Sequence, residues 1–172
     1  MPRVLVVSLS QLNDAIAIHR PSHVVTLLSP ESMIPTAQGI PAERHLRLGV
    51  NDIADPSEGS DPPCPSHIEQ LLRFTRAWDT QAPLLIHCWA GISRSMACAF
   101  TVLCDRLGRD REIAIARAMR RRAPHAAPNR LLVRHADALL NRDGRMIAAL
   151  NSMGTPLAVG EGVLSDFPLA NL

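Results

Sequence analysis

Leu84-Leu85-Ile86-His87-Cys88-Trp89-Ala90-Gly91-Ile92-Ser93-Arg94-Ser95 is the stretch on which the reading of this chain turns. Its first four residues form the best strand signal in the sequence, set off by Pro83. From Ser95 to Leu107 the pattern becomes that of a largely buried helix, with Met96, Ala97, Ala99, Phe100, Val102 and Leu103 apolar and Gly108 as the stop. Between the two lies Cys-x5-Arg-Ser. A loop joining a strand end to a helix N-terminus points its backbone N–H groups into a common hollow, which binds a tetrahedral oxyanion. Arg94 adds a planar fork able to hold two oxygens at once. Amide dipoles and a guanidinium around a thiol favour the nucleophilic thiolate. One loop, Trp89-Ala90-Gly91-Ile92-Ser93-Arg94, is thus expected both to bind phosphate and to hold a nucleophile, Cys88, beneath it. Gly91 allows positive φ and close approach of the backbone to the anion, and Ser95 places a hydroxyl near the sulfur.

Outward from this stretch, strands alternate with helices. Val4–Val7 and Val24–Leu28 read as buried strands, and Leu46–Leu48 as a weaker one. Ser10 is expected to cap a short helix with Leu12, Ala15, Ile16 and His19 on one face, ended by Pro21. Residues 29–43 read as loop or one short helix, and residues 49–65, with Pro56, Pro62 and Pro63, as a long loop. Ser66 and Glu69 have capping-box spacing ahead of a helix that presents Ile68, Leu71, Leu72 and Trp78. Asp110 is expected to cap a helix to about Arg122. Asn129 caps another to about Asn141, with Leu132, Ala136 and Leu139 inward, and Met146–Leu150 forms a last turn or two. The expectation is an α/β fold with a mainly parallel sheet of about four strands flanked by helices, in one domain over residues 1–153, and a tail over 154–172 of unassigned structure.

The chain has 172 residues, 47% apolar and 20% charged, enough for a real core and too apolar for a disordered chain. A net charge of +2 signals no nucleic-acid partner. All 18 basic residues are arginine, which excludes Schiff-base and Walker-type lysine chemistry, and tyrosine nucleophiles are excluded because the chain has no tyrosine. Four cysteines are too few for a disulfide scaffold. No apolar run suits a signal peptide or a membrane span, so the expected setting is cytoplasmic with reduced thiols.

His-Cys-x-x-Gly-x-x-Arg-Ser at 87–95 resembles the signature of the cysteine-dependent protein tyrosine phosphatases, nearest the compact dual-specificity branch, with likeness running from about Leu46 to Leu140. The arginine-only basic set points to a GC-rich, bacterial source. The resemblance implies a dual-specificity-phosphatase-like fold and a phosphocysteine mechanism without metal or other cofactor. In it Cys88 attacks phosphorus, Arg94 and the loop amides hold the oxygens, and Asp52 acts as general acid and then as base. Val50-Asn51-Asp52-Ile53 stands where such enzymes keep that acid, and Pro128-Asn129 resembles a motif that supports the loop. Departures are the lack of a Trp-Pro-Asp tripeptide and of any basic residue inside the loop before Arg94.

Several readings stay open at this level. Asp55 is the main rival to Asp52, with Glu58 and Asp61 further along the loop. His87 orders the loop rather than moving protons, while Asn129 either caps its helix or also supports the loop. Cys98 and Cys104 are packed, inert thiols, and His19 and His135 are core histidines. Arg117, Arg120 and Arg121, with Arg122 beside them, form a solvated face or steer an anionic substrate. Trp89 belongs to the pocket rim. The substrate is a phosphorylated protein or a small phosphoester such as a nucleotide, sugar, inositol phosphate or RNA 5′ end. A phospho-binding module that keeps the loop only as a receptor is the reading from another class.

Overall fold

The computed structural model describes residues 1–172 (the Asn171 side chain excepted), and the apolar, often β-branched runs at residues 3–7, 23–28 and 84–87 form strands covered on both faces. The strands are β1 (Arg3–Val7), β2 (His23–Leu28), β3 (His45–Gly49), β4 (Leu84–His87) and β5 (Ser165–Pro168). They lie in the order β3-β2-β4-β1-β5. Pairs β1–β4, β4–β2 and β2–β3 are parallel, and only β5, against β1, is antiparallel. The sheet therefore has five strands where the sequence suggested about four. The added one comes from the tail, whose run Ser165-Asp166-Phe167-Pro168 has no strand pattern of its own. It forms because β1 offers a free edge and Phe167 reaches the core, fully buried.

Alternate strand residues serve two cores. Leu5, Val7, Val24 and Leu85 pack with Leu12 and Ala15 of α1 (Leu12–His19) on one face. Val4, Val6, Val25, Leu27, Leu84 and Ile86 face the larger core on the other, formed with α2 (Pro65–Arg76), α3 (Arg94–Leu107), α4 (Glu112–Arg122), α5 (Arg130–Leu139) and α6 (Arg145–Asn151). Helix α3 is buried without a break from Arg94 to Cys104, which explains its apolar sequence on every face. Burial pushes the Cys98 and Cys104 thiols up, so both stay neutral packing groups.

Several helix starts differ from the sequence reading. Gln11, not Ser10, precedes α1, and the Ser10 hydroxyl bonds Glu161 of the tail instead. Helix α2 begins two residues early: Pro65 takes the first helical position, and Cys64 with His67 makes the capping box, because proline fits that position without losing a hydrogen bond. Asp110 adopts a left-handed conformation (φ +68°) in the turn after Gly108, which leaves Arg111 to open α4. Leu139 lies 36% exposed rather than inward. His19 and His135 are half-buried rather than core, and the His135 ring contacts the Pro63 carbonyl at 3.1 Å. Of the arginine stripe, Arg120 turns back to bond the Met153 carbonyl (3.1 Å) and those of Pro124 and Gly154, and Arg122 reaches the Asp166 carbonyl. These two tie down the tail, while Arg117 and Arg121 are exposed.

Candidate active site

All four parallel strands run to one edge of the sheet, and β4 is the middle strand of the five. Cys88 follows directly on β4, so it emerges at the centre of the C-terminal edge, where α/β sheets bind their ligands. It is 2% exposed. The loop from Cys88 to Arg94 turns tightly over it. The Gly91 N–H points at Cys88 Sγ (3.3 Å), and Ser95 Oγ, from the first turn of α3, lies 3.1 Å from the same sulfur. Among the described residues, the backbone amides of Trp89, Ala90, Ile92, Ser93 and Arg94 meet no protein acceptor. Five donors are thus left without a protein acceptor at the loop and helix start, the arrangement an anion nest requires.

Gly91 is required twice over. Its φ is +72°, and a Cβ there would stand 2.9 Å from Ser8 N and Val7 C, backbone atoms at the end of β1. The loop is thereby pressed onto the neighbouring strand, and Leu9 N–H bonds the Trp89 carbonyl at 3.0 Å.

The Arg94 side chain is buried (8% exposed), and its Nη1 donates to the Val50 carbonyl at 2.8 Å. Its Nε–H is buried with no protein partner, a donor left for a ligand oxygen. The bond to Val50 also holds the start of the loop that carries Asp52. That loop is braced again by Val50 N–H to the Leu28 carbonyl (2.8 Å) and by the His67 ring to the Gly49 carbonyl (3.1 Å).

Asp52 is exposed, and its Oδ1 accepts from Ser93 Oγ (2.7 Å) and Asn129 Nδ2 (2.9 Å). The carboxylate is therefore fastened to the phosphate-loop side of the cleft by one oxygen, with Oδ2 free of protein donors among the described residues. Asp55 is engaged elsewhere: it caps its own turn, accepting from Ser57 N (2.9 Å) and Ser57 Oγ (2.7 Å), and those bonds hold its carboxyl below the usual range. Asn129 serves both readings at once. Its Oδ1 accepts from Leu131 N (3.1 Å) and Leu132 N (3.0 Å) to cap α5, while its Nδ2 bonds Asp52 and the Ile53 carbonyl (3.0 Å). Its own N–H reaches the Ser93 carbonyl at 3.2 Å, and Ala127 N–H the Ile92 carbonyl at 3.0 Å.

Beneath the loop runs a polar chain that sequence reasoning reached only at His87. Ala37 N–H donates to His45 Nδ1 (3.0 Å), so in the neutral ring the proton lies on Nε2. That Nε2–H meets Thr26 Oγ1 (2.7 Å), whose own proton must then go to His87 Nε2 (2.6 Å). His87 is left with its proton on Nδ1, donated to the Cys88 carbonyl at 3.2 Å. One proton arrangement satisfies every member. Burial pushes both imidazoles down to about 4, so both are neutral near pH 7. No spacing rule links residues 26, 45 and 87; only the sheet brings them together, and a buried histidine beside the nucleophile was the one sign that a partner had to exist.

Trp89 projects from the loop, 61% exposed. Of the sequence-derived site residues, Cys88, Trp89, Ala90, Gly91, Ile92, Ser93, Arg94 and Ser95 share one loop and helix start, His87 lies under it, and Asp52 and Asn129 meet at its rim.

The protein-tyrosine phosphatase family model matches residues 57–126, a span that includes Cys88, Arg94 and Ser95 but neither Asp52 nor Asn129. No curated protein matches the sequence. Among solved structures, DUSP15 superposes with a TM-score of 0.64 at 18% identity over 89% of each chain. PTPMT1 gives 0.60 at 18%, covering 84% of this chain and 94% of its own, and human DUSP28 gives 0.58 at 21%, covering 80% and 91%. The fold is that of the compact dual-specificity phosphatases. Family match and signature loop together support a cysteine-dependent phosphatase of the protein-tyrosine-phosphatase type.

Proposed function

We propose that the chain hydrolyses phosphorylated protein side chains through a phosphocysteine on Cys88. The observation that carries this is a buried thiol under five unpartnered amides, beside an arginine whose Nε–H lacks a partner and a carboxylate tied to the same loop. Cys88 Sγ attacks phosphorus in line, and the S–P bond forms as the P–O ester bond breaks. Arg94 and the amides of residues 89–94 hold the three remaining oxygens, whose charge they stabilise most in the transition state. The Asp52 carboxyl delivers its proton to the departing oxygen. A water then attacks the phosphocysteine, giving its proton to Asp52, and the Ser95 hydroxyl donates to Sγ as it leaves.

The loop interior from Trp89 to Ser93 carries no cation, which suits a substrate with one phosphate rather than several. One solved neighbour, PTPMT1, was crystallised with PI(5)P, so a non-protein phosphoester is the second reading. The test is hydrolysis of a small aryl phosphate in EDTA, alongside phosphopeptides, phosphoinositides and nucleotides. Cys88→Ser is expected to lose nearly all turnover while still binding vanadate. Retained activity in that variant, or loss of wild-type activity in EDTA, would refute the mechanism.

A further inference from the structure

The tail after Gly154 does more than add a strand. Residues 160–162 lie on the phosphate loop: Gly162 N–H donates to the Ala90 carbonyl at 2.8 Å, and Gln11 Nε2 donates to the Gly162 carbonyl at 3.2 Å. A Cβ on Gly162 would stand 2.6 Å from His125 Nε2 and 3.0 Å from the Gly91 carbonyl oxygen, so the backbone there is seated with no room for a side chain. Between this strap and the loop is a slot of about 330 Å³, lined by Leu9, Ser10, Trp89, Ala90, Gly160 and Glu161.

Two of its walls are chemically distinctive. Trp89 is the one exposed aromatic residue of the chain's five; Trp78, Phe100 and Phe167 are buried and Phe74 packs against the core. Glu161 is fixed by the Ser10 hydroxyl, itself 3.0 Å from Ser8 Oγ. Hydrogen bonds from Ser10 and then Ser8 hold this carboxyl below the usual range, so it is charged near neutrality. An indole and a fixed carboxylate lining one slot suit an ammonium or guanidinium group. The same carboxylate repels a second phosphate.

We propose that this slot holds a lysine or arginine side chain next to the phosphorylated residue, so that the enzyme selects phosphopeptides with a basic neighbour. The inference rests on the phosphatase reading above and names the substrate class for it. Ala90, a residue of the phosphate loop itself, lines the slot, so the slot adjoins the loop and faces the residues that flank the phosphorylated one in sequence.

The experiment compares kcat/KM for phosphopeptides that differ only in the residue before or after the phosphorylated one, as arginine, alanine or glutamate. A cation over an exposed indole plus an exposed ion pair predicts an arginine-over-alanine preference of about five- to tenfold at one flank. Glutamate is expected to be worse than alanine. In Glu161→Gln the arginine-over-alanine ratio is expected to fall to about two- to threefold, the part that the indole still supplies, and because it is a ratio within one enzyme, a general loss of folding or turnover cancels. Three results would overturn the proposal: no arginine preference at either flank in the wild type, an unchanged ratio in Glu161→Gln, or faster turnover of PI(5)P in phosphatidylcholine vesicles than of the arginine peptide. Failure of the underlying phosphatase reading would look different, since wild-type protein would then fail to hydrolyse aryl phosphate or would do so without Cys88.

Discussion

Replacing Thr26 by valine leaves the outline of the side chain nearly unchanged and removes one hydroxyl from the middle of the chain beneath the phosphate loop. His45 Nε2–H then loses its acceptor and His87 Nε2 its donor, at sites where the two rings are 6% and 0% exposed. Water cannot readily replace either partner. A buried polar group left unsatisfied costs about 1–3 kcal/mol, so the pair predicts a loss of roughly 2–6 kcal/mol, offset by roughly 1 kcal/mol for the methyl group gained. For a domain of this length each kcal/mol moves Tm by about 2–4 °C, so a fall of roughly 2–20 °C is expected. Urea unfolding is the assay: the midpoint should drop with the m-value unchanged. Thr26→Ser is the control, because it keeps the hydroxyl and loses only a methyl group, at a cost of about 1 kcal/mol. Turnover should follow the same order, since His87 holds the Cys88 carbonyl and a displacement of about 1 Å at the nucleophile costs about 10²-fold. If Thr26→Val loses less than about 1 kcal/mol, or if Thr26→Ser is equally damaging, the hydroxyl does not link the two rings.

Asp52→Asn is expected to lower kcat on poor leaving groups by roughly 10²–10⁴-fold, the usual worth of general acid catalysis, and to have little effect on a good one such as para-nitrophenyl phosphate. Asp55→Asn, made in parallel, should change neither by more than about threefold, and the opposite pattern would transfer the role to Asp55. Gly91→Ala forces a left-handed alanine, at about 1–2 kcal/mol, and drives a Cβ against the end of β1; aryl phosphate turnover should fall at least tenfold, and a near-normal kcat/KM would contradict the close packing described. Stability should rise with pH between about 4 and 6.5. The buried imidazoles of His45 and His87 take up protons only near 4, whereas in the unfolded chain they do so near 6.5, so the unfolded state binds more protons across that window. Denaturation followed from pH 4 to 7 checks this, and a flat profile would refute it.

Much of the site is legible along the chain because it is local. Cys88, the loop amides, Arg94 and Ser95 lie within eight consecutive residues, and a strand followed by a buried helix is enough to point those amides inward. Strands β1, β2 and β4 are legible for a similar reason: each buries both faces, so its apolar run needs no partner to be recognised, whereas the edge strand β3 is partly exposed and gives only the weaker signal at Leu46–Leu48. Helix starts were less so. Ser66 and Asp110 have the chemistry of caps, but Pro65 and the left-handed turn at Asp110 decide where the backbone enters its helix.

Tertiary structure decided whatever depends on strand order and on the path of the tail. Thr26, His45 and His87 meet only because β2 lies between β3 and β4. Asn129, 77 residues away, and Ser93 converge on Asp52, while Asp55 closes a turn of its own, a difference that the loop sequence does not contain. Strand β5 and the strap carry no pattern, because their backbone bonds are made to an edge and a loop that exist only once the rest has folded. Short-range geometry and periodic burial are properties of neighbouring residues, so they are written along the chain. Contacts across the sheet join residues that no spacing relates, so their partners emerge only when burial has ordered the strands.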